Sequence, residues 1–223
     1  MGRHAPLIGS LIILAVMAGL SLWAWQVLPD DARLVVHWDM DGHPNGYASK
    51  AVALLIMPVL ALISILIAAA LSRSRSERMQ AALHSTGFGA IWLAMLVLLA
   101  ACHAMTIFVA RGLPIRPDDV LPLIIGLFFA VTGNFMGKLP PSNFAGIRTP
   151  WTRASDYSWE KTHRLAGPLF VAAGLATLIA RAVADGATAI HVLLAGLLAA
   201  ALISSAASYF YWRNDPERAA GRT

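Results

Sequence analysis

The chain has 223 residues, of which 58% are hydrophobic and only 13% charged, and its net charge is +5. A soluble domain has about 25% charged residues, so the composition argues against a soluble protein and indicates a chain that lies in a lipid bilayer. The basic balance is typical of the orientation signals of membrane proteins, and we predict no direct contact with nucleic acid. The single cysteine, Cys102, excludes an intrachain disulfide and a zinc site built from cysteines.

Six apolar stretches are long enough to cross a bilayer core of about 30 Å as helices. Helix is favoured because unpaired backbone groups in hydrocarbon are costly. The first stretch is too long for a signal peptide and has no small-residue cleavage site, so we expect a retained helix. The predicted fold is an all-α integral membrane protein with six transmembrane helices. They span residues 7–28, 51–71, 87–110, 120–137, 165–184 and 189–212.

The distribution of cations predicts the orientation. With the N-terminus in the cytoplasm, most Lys and Arg residues face inside, Arg3 and Arg222 among them. The few that face outside are Arg33, Lys50, Arg111, Arg116 and Arg181. This bias predicts that both termini are cytoplasmic. Two connections are long enough to form surfaces: an extracytoplasmic loop at 29–50 and a cytoplasmic loop at 138–164. We expect the function to reside there or in the bundle between them.

The outer loop carries an alternating polar pattern. In an extended strand a period of two would place the imidazoles and carboxylates on one face, and such groups bind divalent metals. Neighbouring ligands on a flat strand seldom converge on one ion, and a turn is predicted at Gly42, Pro44 and the two residues that follow. Three interpretations stay open: a solvated strand and turn, a metal site, and a ligand or peptide site without metal. The candidate ligands are His37, Asp39, Asp41 and His43; we predict no cofactor.

The inner loop begins where Lys138 and two prolines end the fourth span. Gly146 permits an unusual backbone angle. Thr149 followed by Pro150 is typical of a helix start, and Ser155 is an alternative cap. If a helix runs from about residue 152 to 184, five residues spaced three or four positions apart lie on the same face of it. These are Ser155, Trp159, Thr162, His163 and Ala166.

Three polar residues have open roles. Arg148 either donates to the free carbonyls at the end of the fourth span or binds an anionic headgroup or acidic partner. Asn134, inside that span, is expected to be buried and to need a partner on another helix, for which His103 is a candidate. Glu160 and Arg164 are spaced for an ion pair on the exposed face of the helix.

The stretch from Gly133 to Gly167 resembles the signature of the SdpI family. The matching positions are Gly133, Asn134, Lys138, Asn143, Gly146, Ile147, Arg148, Thr149, Pro150, Trp151, Thr152, Trp159, Thr162, His163, Arg164 and Gly167. One departure is Arg153, where the signature usually has Leu. The N-terminal part resembles a domain of unknown function that often precedes this signature, and His37, Gly42, Pro44 and Lys50 fit its pattern. Asp41 and His43 fall at positions that vary in it, which weakens the four-residue metal hypothesis.

The resemblance implies two domains and a biological role. The expected domains are 1–80, two helices with the outer loop, and 81–223, four helices with the signature loop. The family implies a multi-pass protein of the bacterial cytoplasmic (inner) membrane that gives resistance to a secreted antimicrobial peptide. It also implies a second role, in which toxin binding outside lets the protein hold a small repressor at the membrane inside. We expect no enzymatic activity. The alternatives are a transporter or lipid-handling protein and a metal-dependent membrane enzyme that uses the outer loop.

Overall fold

A computed structural model describes residues 5–219, so the predicted cytoplasmic cations Arg3 and Arg222 lie outside the described residues. In chain order the elements are α1 (Ala5–Val27), β1 (Arg33–Trp38), β2 (Pro44–Ser49), α2 (Lys50–Leu71), α3 (Glu77–Leu83), α4 (Thr86–Ala110), α5 (Pro117–Met136), α6 (Pro150–Ala154), α7 (Asp156–Val183), α8 (Gly186–Arg213) and α9 (Pro216–Ala219).

The six predicted spans are confirmed as α1, α2, α4, α5, α7 and α8, each long and apolar enough to cross a membrane. The largest difference is at α7, which begins at Asp156, well before the apolar run. One side of its polar first turns, with Ser158 and Trp159, is buried against α8 and the inner loop, while Asp156 and Glu160 are exposed. Ser155 caps these turns by accepting the backbone N–H of Ser158 (2.9 Å). The short helices α3 and α9 and the strand β2 were not predicted.

The spans form two groups that share α4. Helices α1, α2 and α4 pack together, and α5, α7 and α8 form the second group, while α4 also packs against α5. In the first group Ser21 of α1 donates its hydroxyl to the Leu54 carbonyl (2.7 Å) and lies 3.0 Å from His103 Nε2. Helix α4 belongs to the proposed domain 81–223 but packs with α1 and α2 of the proposed domain 1–80. The division into these two domains stays a prediction.

Helices α5 and α7 approach closely through facing glycines. An added Cβ on Gly133 would lie 2.5 Å from the Gly167 carbonyl oxygen and 2.7 Å from the Val171 nitrogen. Gly126 and Gly174 repeat the arrangement towards the other end of the pair. Small residues let helix backbones approach in a membrane, where van der Waals packing drives association. This pair is therefore held by backbone contact along its length.

Helices α7 and α8 are joined by small and hydroxyl-bearing residues. Ser158 of α7 donates its hydroxyl to the Ser208 carbonyl of α8 (2.8 Å). Thr162 and Ser204 are fully buried. Polar residues of this kind join membrane helices by hydrogen bonds and close packing.

The expectation for Asn134 is wrong. Its side chain is exposed on the face of α5 that points away from the other helices. The buried face of α5 carries Thr132, Gly133 and Met136 instead. His103 bonds to Ser21 and not to Asn134.

Contacts between the helix ends show which connections share a side of the bundle. At one end Trp92 donates to Ser10 (3.0 Å), and Arg78 pairs with Asp156 (3.2 Å). At the same end Ser208 of α8 lies 2.9 Å from Thr149 of the loop, between their hydroxyl oxygens. At the other end Arg111 lies over the Trp23 ring and Arg181 pairs with Asp119. The described start of α1 and the end of α8 therefore lie on the same side as the 138–164 loop. That this side faces the cytoplasm stays a prediction.

Candidate functional site

The outer loop is a β-hairpin, in which β1 pairs with β2 in antiparallel register. The turn lies earlier than predicted. Asp39 Oδ1 accepts the backbone N–H groups of Asp41 (3.0 Å) and His43 (2.8 Å), and Gly42 adopts a φ of +79°. Because this turn is closed by His43, Pro44 starts the second strand instead of belonging to the turn. An Asp side chain that bonds the backbone ahead of it and a glycine with positive φ are usual turn chemistry.

The hairpin brings together three of the four candidate metal ligands. Ligand atoms of Asp39, Asp41 and His43 all lie within 4.8 Å of one another, and all three residues are exposed. His37 is engaged elsewhere, since its Nδ1 lies 2.5 Å from the Asn45 Oδ1 across the strands. The predicted strand face that carries all four side chains is therefore not formed, because the chain turns after Trp38.

Lys50 fixes the base of the hairpin. Its side chain is 4% exposed, and Nζ donates to the Leu28 carbonyl (2.7 Å) and to Asp30 Oδ1 (2.9 Å). The ammonium also lies 5.1 Å from the centre of the Trp25 ring. A buried ammonium is tolerated only when it is paired and hydrogen-bonded. Lys50 thus ties the end of α1 to the start of α2.

A cluster of ion pairs lies beside the hairpin tip, at the start of α5. Arg116 pairs with Asp118 (2.8 Å) and lies 3.7 Å from Asp119, which also pairs with Arg181 of α7. The hydrogen bond to Asp118, followed by the charges of Asp118 and Asp119, raises the pKa of the Arg116 guanidinium. Gly42 touches this cluster, since a Cβ there would lie 2.7 Å from the Asp118 Cβ. The hairpin tip therefore contacts α5.

In the inner loop the Trp159 and His163 side chains form a buried platform. Each is 1% exposed, and the rings are stacked with centroids 4.2 Å apart. Trp159 Nε1 donates to the Leu139 carbonyl (2.9 Å), which fixes the chain just after α5. Gly146 lies on the platform with φ +111°, and a Cβ there would lie 2.6 Å from His163 Nε2. The predicted special backbone at Gly146 is thus confirmed, and the contact with the rings also requires glycine.

The hydrogen bonds of His163 define its protonation. Nε2 accepts the backbone N–H of Ile147 (2.9 Å), and Nδ1 lies 2.8 Å from the Trp159 carbonyl, which can only accept. The imidazole is therefore neutral, with its proton on Nδ1. Protonation of Nε2 would remove the acceptor for Ile147.

The chain from Thr149 onwards forms two successive helix starts. Thr149 and Thr152 form a capping box for α6, with the Thr152 N–H 3.1 Å from Thr149 Oγ1. Both predicted caps are thus confirmed: the helix is interrupted at Ser155, so Thr149 caps α6 and Ser155 caps α7. The continuous helix from about residue 152 is not formed. The predicted face of Ser155, Trp159, Thr162, His163 and Ala166 is nonetheless buried.

The signature residues divide into a buried set and an exposed set. Thr152, Trp159, Thr162 and His163 are buried, and Trp151 packs edge-on against Tyr209 (5.3 Å). Asn134, Lys138, Asn143, Arg148, Pro150 and Arg164 are exposed. Arg148 donates to the Asn143 carbonyl within the loop (2.7 Å). The interpretation in which it donates to the free carbonyls at the end of α5 is therefore wrong. The predicted pair of Glu160 and Arg164 is present at 3.2 Å.

Sequence reasoning missed the C-terminal partners of the loop. Ser208 Oγ lies 2.9 Å from Thr149 Oγ1, and the Ser155 hydroxyl donates to the buried carboxylate of Asp215 (2.5 Å). The only local signal is the four-residue spacing of Ser204 and Ser208, which favours a helix-packing face. Nothing in the sequence around Asp215 points to Ser155, which lies 60 residues earlier.

These features define an all-α multi-pass membrane protein with one structured surface at each end of the bundle. Two family profiles match it: residues 138–208 match the SdpI/YfhL protein family, and residues 12–62 match a domain of unknown function, DUF1648. The chain is 26% identical over 204 residues to the immunity protein SdpI of Bacillus subtilis (strain 168), covering 92% of this chain and 94% of the relative. No solved structure matches the chain significantly.

Over residues 138–208 the chain is similar to the SdpI/YfhL family, and it is a multi-pass protein of the bacterial cytoplasmic membrane. The matched regions contain the two surfaces described above, since 12–62 includes the hairpin and 138–208 includes the platform.

Proposed function

We propose that this chain is a non-enzymatic immunity protein that protects its host from a secreted antimicrobial peptide. The observation that carries the proposal is the similarity to an immunity protein over 92% of the chain, which is long enough to include both surfaces. A similarity confined to the apolar helices would support only a shared environment. Here it includes the polar loops, where binding residues are usually found.

The outer hairpin is the proposed toxin-binding surface. It exposes two large side chains, Met40 at 50% and Tyr47 at 54%, next to the polar groups of Asp39 and His43. Tyrosine and methionine are enriched where proteins contact each other, because they bury a large area and adapt to the partner. An amphipathic peptide that approaches the membrane would meet this surface first.

The proposed second role is that the inner loop responds to toxin and holds a small cytoplasmic repressor. The described contacts supply a route. The hairpin tip touches Asp118 at the start of α5, and α5 packs on α7 by direct backbone contact. Helix α7 carries His163, which binds the loop at Ile147. The exposed signature residues Asn143 and Arg148 would then face the partner.

Survival of a toxin-sensitive bacterial strain tests immunity. Cells that express the wild-type chain should tolerate a higher concentration of peptide toxin than cells with an empty vector. The double variant Met40→Ala/Tyr47→Ala should lose most of this protection, while Met95→Ala, which trims an exposed methionine within α4, should keep it. The amount of protein in the membrane fraction is measured for each variant. Absence of protection against every toxin tried, with normal membrane levels, would refute the proposal.

Membrane fractionation tests the repressor role separately. A repressor encoded beside the protein should move to the membrane fraction when toxin is added. Arg148→Ala should reduce this movement without changing survival, whereas Arg75→Ala, an exposed arginine outside the signature loop, should not. A repressor that stays soluble in the wild type argues against this role and leaves the immunity proposal standing.

A further inference from the structure

A second feature of the inner side is an open depression of about 450 Å³ beside α6. It is lined by Asn143, Arg148, Pro150, Arg153 and Ala154. Both arginines are exposed, and no carboxylate lines the depression. The volume is within the range of small-ligand sites and accommodates a phosphate group.

The positive charge of this depression is not neutralised within the described part of the chain. The ion pairs on this side join Arg78 to Asp156 and Arg164 to Glu160, and neither Arg148 nor Arg153 has a carboxylate within 4 Å among residues 5–219. Arg148 uses one guanidinium nitrogen to bind the Asn143 carbonyl, which orients the group and leaves its other donors available. The planar guanidinium presents parallel donors that match the oxygens of a phosphate.

Neighbouring aromatic residues indicate the depth of the depression in the membrane. Trp151, the second residue of α6, packs against Tyr209, and Tyr209 packs against Trp212 at the end of α8 (centroids 6.0 Å apart). Clusters of Trp and Tyr lie at the headgroup level of a bilayer. The membrane-spanning α7 begins directly after α6. At this depth the most abundant phosphates are those of the lipids.

We propose that the depression between Arg148 and Arg153 binds the headgroup phosphate of an anionic phospholipid. This goes beyond the proposed function, since it requires neither toxin nor repressor. Arg148 is common to both proposals, so Arg153 is the residue that distinguishes lipid binding from repressor binding. It also depends on Arg153, the position at which this chain departs from the leucine of the family signature. The bound lipid would hold α6 at the membrane surface, next to the platform formed by Trp159 and His163.

Binding of a short-chain phosphatidylglycerol to the purified full-length chain in a neutral detergent tests the proposal. Short-chain phosphatidylcholine and inorganic phosphate are titrated in parallel arms. We expect the wild type to prefer phosphatidylglycerol over both. Arg153→Leu and Arg148→Gln should each raise the dissociation constant about fivefold, because one basic residue near an anionic lipid surface is worth about 1 kcal/mol. Arg75→Gln removes an exposed charge on the same side, outside the depression, and should have no effect.

Melting temperatures of the variants separate lost binding from lost folding. Arg153→Leu changes an exposed side chain and should melt like the wild type. The proposal fails if Arg153→Leu binds phosphatidylglycerol as tightly as the wild type, or if phosphatidylcholine binds equally well. Equal affinity for inorganic phosphate would assign the depression to a free anion and overturn the lipid assignment.

Discussion

At the scale of single residues, Gly146 controls how the inner loop lies on its platform. Replacing Gly146 with Ala forces a side chain into a φ of +111° and places its Cβ 2.6 Å from His163 Nε2 and 2.8 Å from the Trp159 ring. Backbone strain of this kind costs about 1–3 kcal/mol, and the collision adds to it. We expect Gly146→Ala to lower the melting temperature in detergent and to weaken the bond between Ile147 and His163.

Gly112 provides the matched control for this prediction. It also has a positive φ, +75°, but an added Cβ would meet nothing within 4 Å. Gly112→Ala therefore measures the backbone strain alone. If the two variants lose equal stability, contact with the His163 and Trp159 rings contributes nothing at Gly146.

His163 accepts the Ile147 N–H of the loop at Nε2 and donates from Nδ1 to the Trp159 carbonyl of its own helix. His163→Phe keeps an aromatic ring against Trp159 but leaves the Ile147 N–H without its partner. A fully buried N–H would lose about 1–3 kcal/mol, and this part-buried one should lose less. His163→Gln retains a donor and an acceptor and should lose less. Hydrogen exchange across residues 143–150 is the sensitive measurement, because the exposed amides should exchange faster in His163→Phe than in His163→Gln. Equal exchange in both variants would show that the hydrogen bonds do not hold the loop.

At the scale of elements, the contact of α5 with α7 depends on the absence of side chains. Gly133→Ala would drive a Cβ to 2.5 Å from the Gly167 carbonyl oxygen, so the helices must separate. Overpacking of a close contact costs about 1–3 kcal/mol. Gly19→Ala in α1 is the control, since nothing lies within 4 Å of its added Cβ and alanine favours the helix. Unfolding by a denaturing detergent should require less detergent for Gly133→Ala and at least as much for Gly19→Ala. The opposite order would contradict the packing.

Local sequence patterns predicted the membrane spans and the helix caps, but they did not predict contacts between residues far apart in the chain. The six spans follow from runs of apolar residues, and the caps at Thr149 and Ser155 follow from local side-chain chemistry. The buried face from Ser155 to Ala166 follows from helical spacing. In contrast, the strand β2 forms because Asp39 closes the turn early, and Ser155 meets Asp215 only through packing. Asn134 was misplaced because hydropathy fixes a span but not its rotation.

At the scale of the whole molecule, the two surfaces lie at opposite ends of one continuous set of contacts. The hairpin is held to the first group of helices by Lys50 and touches the second group at Asp118. The inner loop is held by Trp159 and His163 of α7 and by Ser208 of α8. Because the backbones of α5 and α7 are in direct contact, no flexible side chains separate the two helices. A displacement of α5 by the hairpin would therefore also displace α7. This arrangement is the physical basis of the proposed response of the inner loop to a peptide bound at the hairpin.

The orientation of the whole molecule is testable with two matched substitutions at opposite ends of α2. Ser49 precedes the helix and Ser72 follows it, and both are exposed. In a Cys102→Ala background, Ser49→Cys and Ser72→Cys each introduce one thiol of nearly the same size. The excess of cations on the side of Ser72 predicts that it faces the cytoplasm. A membrane-impermeant maleimide should therefore label Ser49→Cys in intact cells, and Ser72→Cys only after permeabilisation. The reverse labelling pattern would show that the hairpin lies inside the cell and the signature loop outside. The hairpin could then not be the first contact of a secreted toxin.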